Sequence, residues 1–104
     1  MAQGTIVDSD GSTVTVKMSS ATDGSEWTIS TDGSTLTQSG DKFEKNQGES
    51  EGARMVSFTA QNSGNQIITA TDGDVTITVE ATIKDGKVTA LKGSDTEGYA
   101  GEVK

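Results

Sequence analysis

The side chains with the greatest capacity for chemistry are carboxylates beside Asp-Gly pairs. Asp8 and Asp10 alternate with serines, which spaces oxygen atoms much as a Ca²⁺-binding loop does. An EF-hand loop beginning at Asp8 would need its Gly two positions after Gly11 and a bidentate Glu at the position of Ser19. Solvated turns are therefore the favoured interpretation. Ca²⁺ stays a weak alternative, and its candidate ligands are Asp8, Asp10, Asp72 and Asp74.

Composition excludes catalysis by histidine or cysteine. The 104 residues include no His and no Cys, so neither a Ser-His-Asp triad nor a thiolate or Cys/His metal site can form. The sixteen acidic residues guarantee some close carboxylate pairs, but glycosidase chemistry needs two carboxylates across a cleft. Short loops on a small domain offer little cleft. The sequence predicts a protein that is not an enzyme and has no cofactor.

The charge balance restricts the partners. Eight basic and sixteen acidic residues give a net charge of −8, and the isoelectric point is near 4.2. Nucleic acids and anionic membranes both require a basic face, so we expect a protein partner or self-assembly instead. No apolar run reaches membrane-spanning length, and no signal-peptide core follows Met1. A thiol-free chain in which Thr, Ser and Gly make up roughly two-fifths of the residues suggests an extracellular or particle-surface location.

The elements that must position these groups are short strands. Asp-Gly pairs tolerate the positive φ angles of tight hairpin turns, and most of them lie between segments rich in Thr, Val and Ile. Apolar and polar residues alternate at 13–18, 56–60 and 75–83, and no segment has a helical period. Shorter strands are predicted at 5–7, around Trp27, Leu36, Phe43 and Ile67, and at 88–91. This pattern predicts an all-β sandwich or barrel with one polar face per strand.

The remaining segments are predicted to be loops and a tail. Residues 19–26 contain no large apolar side chain, and residues 39–52 carry charge and Gly around Phe43. We predict one domain over residues 1–92 and a polar tail over residues 93–104, which could dock through Tyr99.

Strand edges are a possible route to assembly. The segment from Asp74 to Ile83 would span about 33 Å if fully extended. A strand of that length could run past its own sheet and pair with a neighbouring subunit. The favoured interpretation is that residues 87–91 fold back onto it.

Two segments resemble a known family. The sequence from Ser20 to Trp27 resembles the Asn-Pro-Thr-Thr-Gly-Tyr-x-Trp segment of chagasin-type cysteine-protease inhibitors, with Thr22, Gly24 and Trp27 in register. Downstream, the segment that begins Phe58-Thr59-Ala60 resembles that family's Phe-x-Ala-x-x-x-Gly segment. Bacterial immunoglobulin-like domains share much of this pattern. The resemblance covers roughly residues 12–83 and implies an immunoglobulin-like two-layer antiparallel sandwich of about seven or eight strands, with Trp27 between the sheets.

The resemblance also implies a binding end. In the inhibitor family three loops at one end enter the cleft of a papain-like protease. The corresponding positions here are Thr22, Asp23, Gly24 and Ser25, then Gly48, Glu49, Ser50, Glu51 and Gly52, then Asp72 and Gly73. The first loop lacks the family's Asn-Pro, the second is acidic, and the third lacks Arg-Pro-Trp.

These observations rank three functions. The first is a non-enzymatic structural or interaction module of a cell surface, virion or extracellular fibre, which presents acidic loops and could assemble through strand edges. The alternative is a chagasin-like protease inhibitor with altered loops. A Ca²⁺-dependent adhesion domain comes third.

Overall fold

The chain folds into eight strands without a helix in the part described. The computed structural model describes residues 4–7, 11–73 and 75–95, and side chains at positions 11–73 and 76–92. The strands are β1 (Gly4–Val7), β2 (Thr13–Ser20), β3 (Thr28–Thr31), β4 (Leu36–Glu44), β5 (Gly52–Ala60), β6 (Gly64–Asp72), β7 (Val75–Lys84) and β8 (Lys87–Asp95). Since the described residues contain no helix, they contain no helix that could cross a membrane.

The strands form two antiparallel sheets of four strands each. Their orders are β1-β2-β5-β4 and β3-β6-β7-β8. Strands β1 to β7 thus follow the order of a constant-type immunoglobulin domain, and β8 adds an eighth strand beside β7. The prediction of an immunoglobulin-like antiparallel sandwich is confirmed. The Asp85-Gly86 turn between β7 and β8 has positive φ at both residues, as a tight hairpin turn of this sequence requires.

The core lies between the sheets and contains the alternating apolar residues of both. Trp27, just before β3, is 4% exposed, and its indole N–H donates a hydrogen bond of 2.9 Å to the carbonyl of Ser19. This position matches the buried Trp of immunoglobulin domains and confirms that Trp27 is a core residue. The buried apolar set is Val14, Val16, Met18, Trp27, Leu36, Val56, Phe58, Ala60, Ile68, Ala70, Ile77, Val79, Ala81 and Ile83.

A buried glutamine joins the connection between β3 and β4 to the second sheet. The Oε1 atom of Gln66 accepts hydrogen bonds from the main-chain N–H groups of Thr35 and Leu36 at 2.8 and 2.7 Å, and from the Thr35 hydroxyl. Its amide nitrogen donates to Thr31 Oγ1 and to the Leu36 carbonyl. The side chain therefore satisfies polar groups that the crossing between sheets would otherwise leave buried and unpaired.

Three boundary predictions need correction. The predicted strands around Leu36 and Phe43 are one strand, β4, which continues through a bulge between Gln38 and Gly40. The predicted loop at 39–52 is therefore wrong at both ends, since only residues 45–51 lie between β4 and β5. The predicted loop at 19–26 likewise begins too early, because β2 extends through Ser20. Local polarity misled these predictions, because β4 is a solvated edge strand and the two serines that end β2 are polar although they are buried.

The long strand has no overhang, and the favoured prediction that residues 87–91 fold back onto it is confirmed. β7 pairs with β6 from Val75 to Ile83 and with β8 from Ile77 to Lys84, so β7 is an interior strand. The returning segment extends to Asp95, three residues past the predicted end of the domain at 92. The sheet edges are β1, β4, β3 and β8.

Candidate functional site

The topology brings the three predicted loop segments to one end of the sandwich. Residues 21–27 join β2 to β3, residues 45–51 join β4 to β5, and a turn at Gly73 joins β6 to β7. In the first sheet, the end of β2 pairs with the start of β5 through Ser20 and Gly52. In the second sheet, the start of β3 pairs with the end of β6 through Thr28 and Thr71. We call this region the loop end.

The first loop, 21–27, is organised around a buried serine. Ser20 Oγ accepts hydrogen bonds from the main-chain N–H of Thr22 at 3.1 Å and of Gly24 at 3.0 Å. It donates to Glu26 Oε2 at 2.6 Å, and Thr22 Oγ1 donates to the other oxygen of that carboxylate at 3.1 Å. These hydrogen bonds constrain the path of the loop, and a constrained loop loses less entropy than a free one when it is bound.

The exposed carboxylates of this loop are held in the ionised form. Ser25 donates two hydrogen bonds to Asp23 Oδ1, from its hydroxyl at 2.6 Å and its main-chain N–H at 3.0 Å. The hydroxyl bond and then the N–H bond from Ser25 lower the pKa of Asp23. The hydrogen bond from Ser20 is the largest cause of the lowered pKa of Glu26. The loop therefore presents two fixed negative charges at neutral pH.

The only arginine of the chain fastens the first loop to the first sheet. Arg54, on β5, donates from Nη1 to the carbonyls of Gly24 at 3.0 Å and Trp27 at 2.7 Å. Its Nε and Nη2 atoms donate to the two carboxylate oxygens of Asp41 at 3.0 and 2.7 Å. Gly24 is required because its φ is +86° and a Cβ atom there would lie 2.8 Å from Arg54 Cβ.

The second loop, 45–51, borders an open pocket of about 660 Å³ on the outer face of the first sheet. The strands contribute Lys17, Ser19, Ala53 and Met55 to this pocket, and the loop contributes Asn46, Gly48, Glu49, Ser50 and Glu51 among others. Ser19 is 6% exposed, and its hydroxyl oxygen is buried without a hydrogen-bond partner.

Gly48 in the second loop and Gly52 at the start of β5 have different roles. Gly48 has a φ of +89° with open space around it, so it serves the turn. Gly52 has no positive φ, but a Cβ atom there would lie 2.5 Å from the carbonyl oxygen of Glu44 and 2.6 Å from the ring of Phe43. Gly52 therefore allows β5 to approach the end of β4 closely at the base of the loop.

The third segment is a minimal turn. Asp72 ends β6, and Gly73 has a φ of +56°. Asp74 lies outside the described residues, as do Asp8, Asp10 and Tyr99. Within the described ranges, no three Asp, Glu, His or Cys side chains are grouped so that they could hold a metal ion.

Sequence reasoning missed the residues that organise the loop end. Arg54 and Asp41 are thirteen positions apart, and Ser19 is adjacent to a predicted strand rather than part of it. The sequence did offer one signal for Arg54. It shares the alternation phase of the apolar residues Val56 and Phe58, and an Arg on the inward face of a strand usually has a partner. No local signal marks Ser19, because its burial depends on the tertiary fold.

Comparisons of the chain with protein-family models, with curated proteins and with solved structures found no significant match. The resemblance to chagasin-type inhibitors and to bacterial immunoglobulin-like domains therefore stays a prediction, and the functional argument depends on the geometry of the loop end.

Proposed function

We propose that the chain is a non-enzymatic interaction module that binds a protein partner through the loop end. The observation that supports this most is the bracing of the first loop by Ser20 and Arg54, which gives an exposed polar segment a defined shape. The bracing pairs polar groups of the buried side of the loop, and it thereby fixes the exposed residues Asp23 and Ser25, which a partner could contact without a large loss of loop entropy.

The charge of the loop end indicates what kind of partner fits it. Its carboxylates outnumber the nearby lysines Lys17, Lys42 and Lys45 among the described residues, and Glu44 is already paired with Lys42 at 3.0 Å. A basic protein surface would be attracted by this field and oriented by it during encounter. The carboxylates at this end are Asp23, Glu26, Glu44, Glu49, Glu51 and Asp72.

The sheet edges support a loop-mediated contact better than assembly by edge pairing. β1 and β3 have four residues each, which leaves little backbone for a partner strand. β4 carries a bulge and the inward-directed Asp41, and β8 carries an extra residue opposite Thr82 and Ile83. Bulges and inward charges on edges are features by which proteins avoid edge-to-edge association. Self-assembly through the edges of a virion or fibre component is therefore the weaker form of the proposal.

Protease inhibition is the second candidate, and one observation favours it. The three segments that would contact a papain-like protease lie together at one end, as that mechanism requires. Titration of papain with the purified chain tests this candidate. If the wild-type chain reduces papain activity and the Arg54→Met variant reduces it less, the result supports inhibition. If papain keeps full activity at micromolar concentrations of the chain, the inhibitor candidate is excluded.

The main proposal is tested with two charge-matched double variants. Glu49→Gln with Glu51→Gln removes two exposed charges at the loop end, and Glu80→Gln with Asp85→Asn removes two exposed charges elsewhere. Both variants and the wild type are immobilised, and proteins captured from an extract of the source organism are quantified across a salt gradient.

A partner retained by the wild type and the Glu80/Asp85 variant, but released at lower salt from the Glu49/Glu51 variant, supports the proposal. Equal retention by all three proteins contradicts it. Light scattering over a concentration range separates this result from self-assembly, which would raise the apparent mass with concentration.

A further inference from the structure

Four of the five Asp-Gly pairs of the chain lie wholly within the described residues. An aspartate followed by glycine is especially prone to form a cyclic succinimide, because glycine has no Cβ atom to hinder attack by its own nitrogen on the aspartate carboxyl group. The residue that follows the aspartate is the same in every pair, so differences in reactivity within the folded chain must come from the structure. The pairs are Asp23-Gly24, Asp32-Gly33, Asp72-Gly73 and Asp85-Gly86.

Two of these pairs are restrained at the glycine nitrogen. The Gly24 N–H donates a hydrogen bond of 3.0 Å to the buried Ser20 Oγ. The Gly86 N–H donates a hydrogen bond of 2.7 Å to the carbonyl of Asn62. Because the nitrogen must lose its proton and turn toward the carboxyl group, ring closure at either pair first requires this bond to open.

The pair Asp32-Gly33 is restrained at the carboxyl group instead. Asp32 Oδ1 accepts a hydrogen bond of 2.7 Å from the main-chain N–H of Ile67, and the Asp32 N–H donates to the carbonyl of the same residue at 3.2 Å. A Cβ atom at Gly33 would lie 3.3 Å from Gln66 Oε1, so the glycine also lies against a buried side chain. The carboxyl group is therefore held against β6 and away from its own glycine.

The pair Asp72-Gly73 has none of these restraints within the described part of the chain. The Asp72 side chain forms no hydrogen bond or ion pair with a described residue, and the Gly73 N–H donates to none. Gly73 is exposed, and no described atom beyond its chain neighbours lies within 4 Å of the position that a Cβ would occupy. Asp72 pairs with Val75 as the last pair of the β6–β7 ladder, where strands open most easily.

We propose that Asp72 is a site of spontaneous isomerisation to isoaspartate. In the first step the Gly73 nitrogen bonds to Asp72 Cγ and loses its proton, the protonated carboxyl group loses its hydroxyl, and one water molecule leaves as the succinimide closes. In the second step one water molecule adds to the ring. Cleavage between the Gly73 nitrogen and the main-chain carbonyl carbon of Asp72 gives isoaspartate, whereas cleavage at Cγ restores aspartate. The water lost is regained, so the reaction needs no other reactant.

Isomerisation changes the shape of the loop end but not its mass or formal charge. The main chain then runs through Cγ of Asp72 and gains one carbon atom at the last residue of β6. The third segment of the loop end keeps its carboxylate on an altered backbone. This inference does not depend on the protein-binding role proposed for the loop end, because the reaction needs only the chain and water.

The experiment incubates the folded full chain at neutral pH and body temperature for several weeks in water enriched in heavy oxygen. Each ring opening adds one heavy oxygen atom, and electron-transfer fragmentation of proteolytic peptides separates isoaspartate from aspartate at each pair. Since a hydrogen bond of ordinary strength lowers the population of an open state about fivefold, isoaspartate at Asp72 should exceed that at each of the other three described pairs at least about fivefold.

The same chain in guanidinium chloride is the first control, because unfolding removes the restraints and the four pairs should then react at similar rates. Asp72→Glu is the second control, since its ring would need six members and should form far more slowly, so the signal at this position should disappear. Ser20→Ala removes the acceptor of the Gly24 N–H and should raise isoaspartate at Asp23 but not at Asp85. Thermal unfolding of both variants shows that they remain folded during the incubation.

Two results would overturn the proposal. The first is that Asp72 forms isoaspartate no faster than Asp85 in the folded chain, which includes the case in which no pair reacts. The second is that the four pairs keep the same order of rates in guanidinium chloride, because the difference would then come from local sequence rather than from the fold.

Discussion

Replacing Arg54 with methionine should destabilise the domain and loosen the first loop. Methionine keeps the unbranched aliphatic portion of the side chain but removes four hydrogen bonds, two to Asp41 and one each to the carbonyls of Gly24 and Trp27. The Arg54 side chain is only 18% exposed, so the orphaned carbonyls would be poorly reached by water. The Asp41 side chain is 36% exposed and would be partly rehydrated.

The expected magnitude follows from these exposures. Breaking a fully buried ion pair costs about 3–5 kcal/mol, and an exposed one contributes roughly 0–1 kcal/mol. Because this pair lies between these limits and two carbonyls lose their donor, we expect a loss of about 3 kcal/mol in the free energy of unfolding. For a domain of this size that corresponds to a fall in Tm of roughly 10–20 °C.

Urea unfolding followed by the fluorescence of Trp27 measures this loss, and amide hydrogen exchange measures the loop. Exchange should accelerate at the N–H of Trp27, which donates to the Gly24 carbonyl at 3.2 Å, more than in the centre of β5. Lys84→Met is the matched control, because it removes one exposed positive charge from β7. A loss below about 1 kcal/mol, or unchanged exchange in the loop, would refute the bracing role of Arg54.

Three further predictions concern stability. Gln66→Met should lower the free energy of unfolding by about 3–5 kcal/mol in urea titration, because it leaves several buried main-chain groups of the β3–β4 connection unpaired; a loss similar to that of an exposed substitution would contradict this. Gly52→Ala should cost more than about 2 kcal/mol because its Cβ would collide with backbone, whereas Gly40→Ala, with its nearest neighbour at 3.6 Å, should be nearly neutral by the same assay. Stability should also fall in acid, because the hydrogen bond from Arg54 lowers the pKa of Asp41 in the folded state. A lowered carboxylate pKa stabilises the fold above the unfolded-state value of about 3.9, and this stabilisation is lost as pH falls through the folded value. Asp41→Asn should therefore flatten the dependence of urea stability on pH in this range, and identical pH profiles would exclude this contribution.

Much of the fold could be predicted because its signals are local. The alternation at Val14 and Val16 on β2, and at Ile77 and Val79 on β7, depends only on the two-residue period of a strand. The pair Asp85-Gly86 marks its turn through its own φ preferences. The prediction of a loop from residue 39 onward failed, because β4 lies at a sheet edge and its composition resembles that of a loop.

The candidate site was predicted only in part. The resemblance and the strand count placed Thr22, Gly48 and Asp72 in three different loops, and the strand order then brought those loops to one end. The loop contacts themselves were not predictable. Whether Glu26 reaches Ser20 depends on the path of the whole loop, and strand signals say nothing about that path.

The sequence by itself determined a thiol-free, histidine-free chain of short strands and Asp-Gly turns, because composition and backbone preference are properties of single residues and close neighbours. Tertiary structure alone decided three contacts or placements. Arg54 bonds the carbonyl of Gly24, thirty residues earlier, and Gln66 bonds the main chain of Leu36, also thirty residues earlier. Ser19 is buried beside a pocket. Those outcomes depend on strand register and on which polar groups lose water when the sheets close, and no local pattern carries that information.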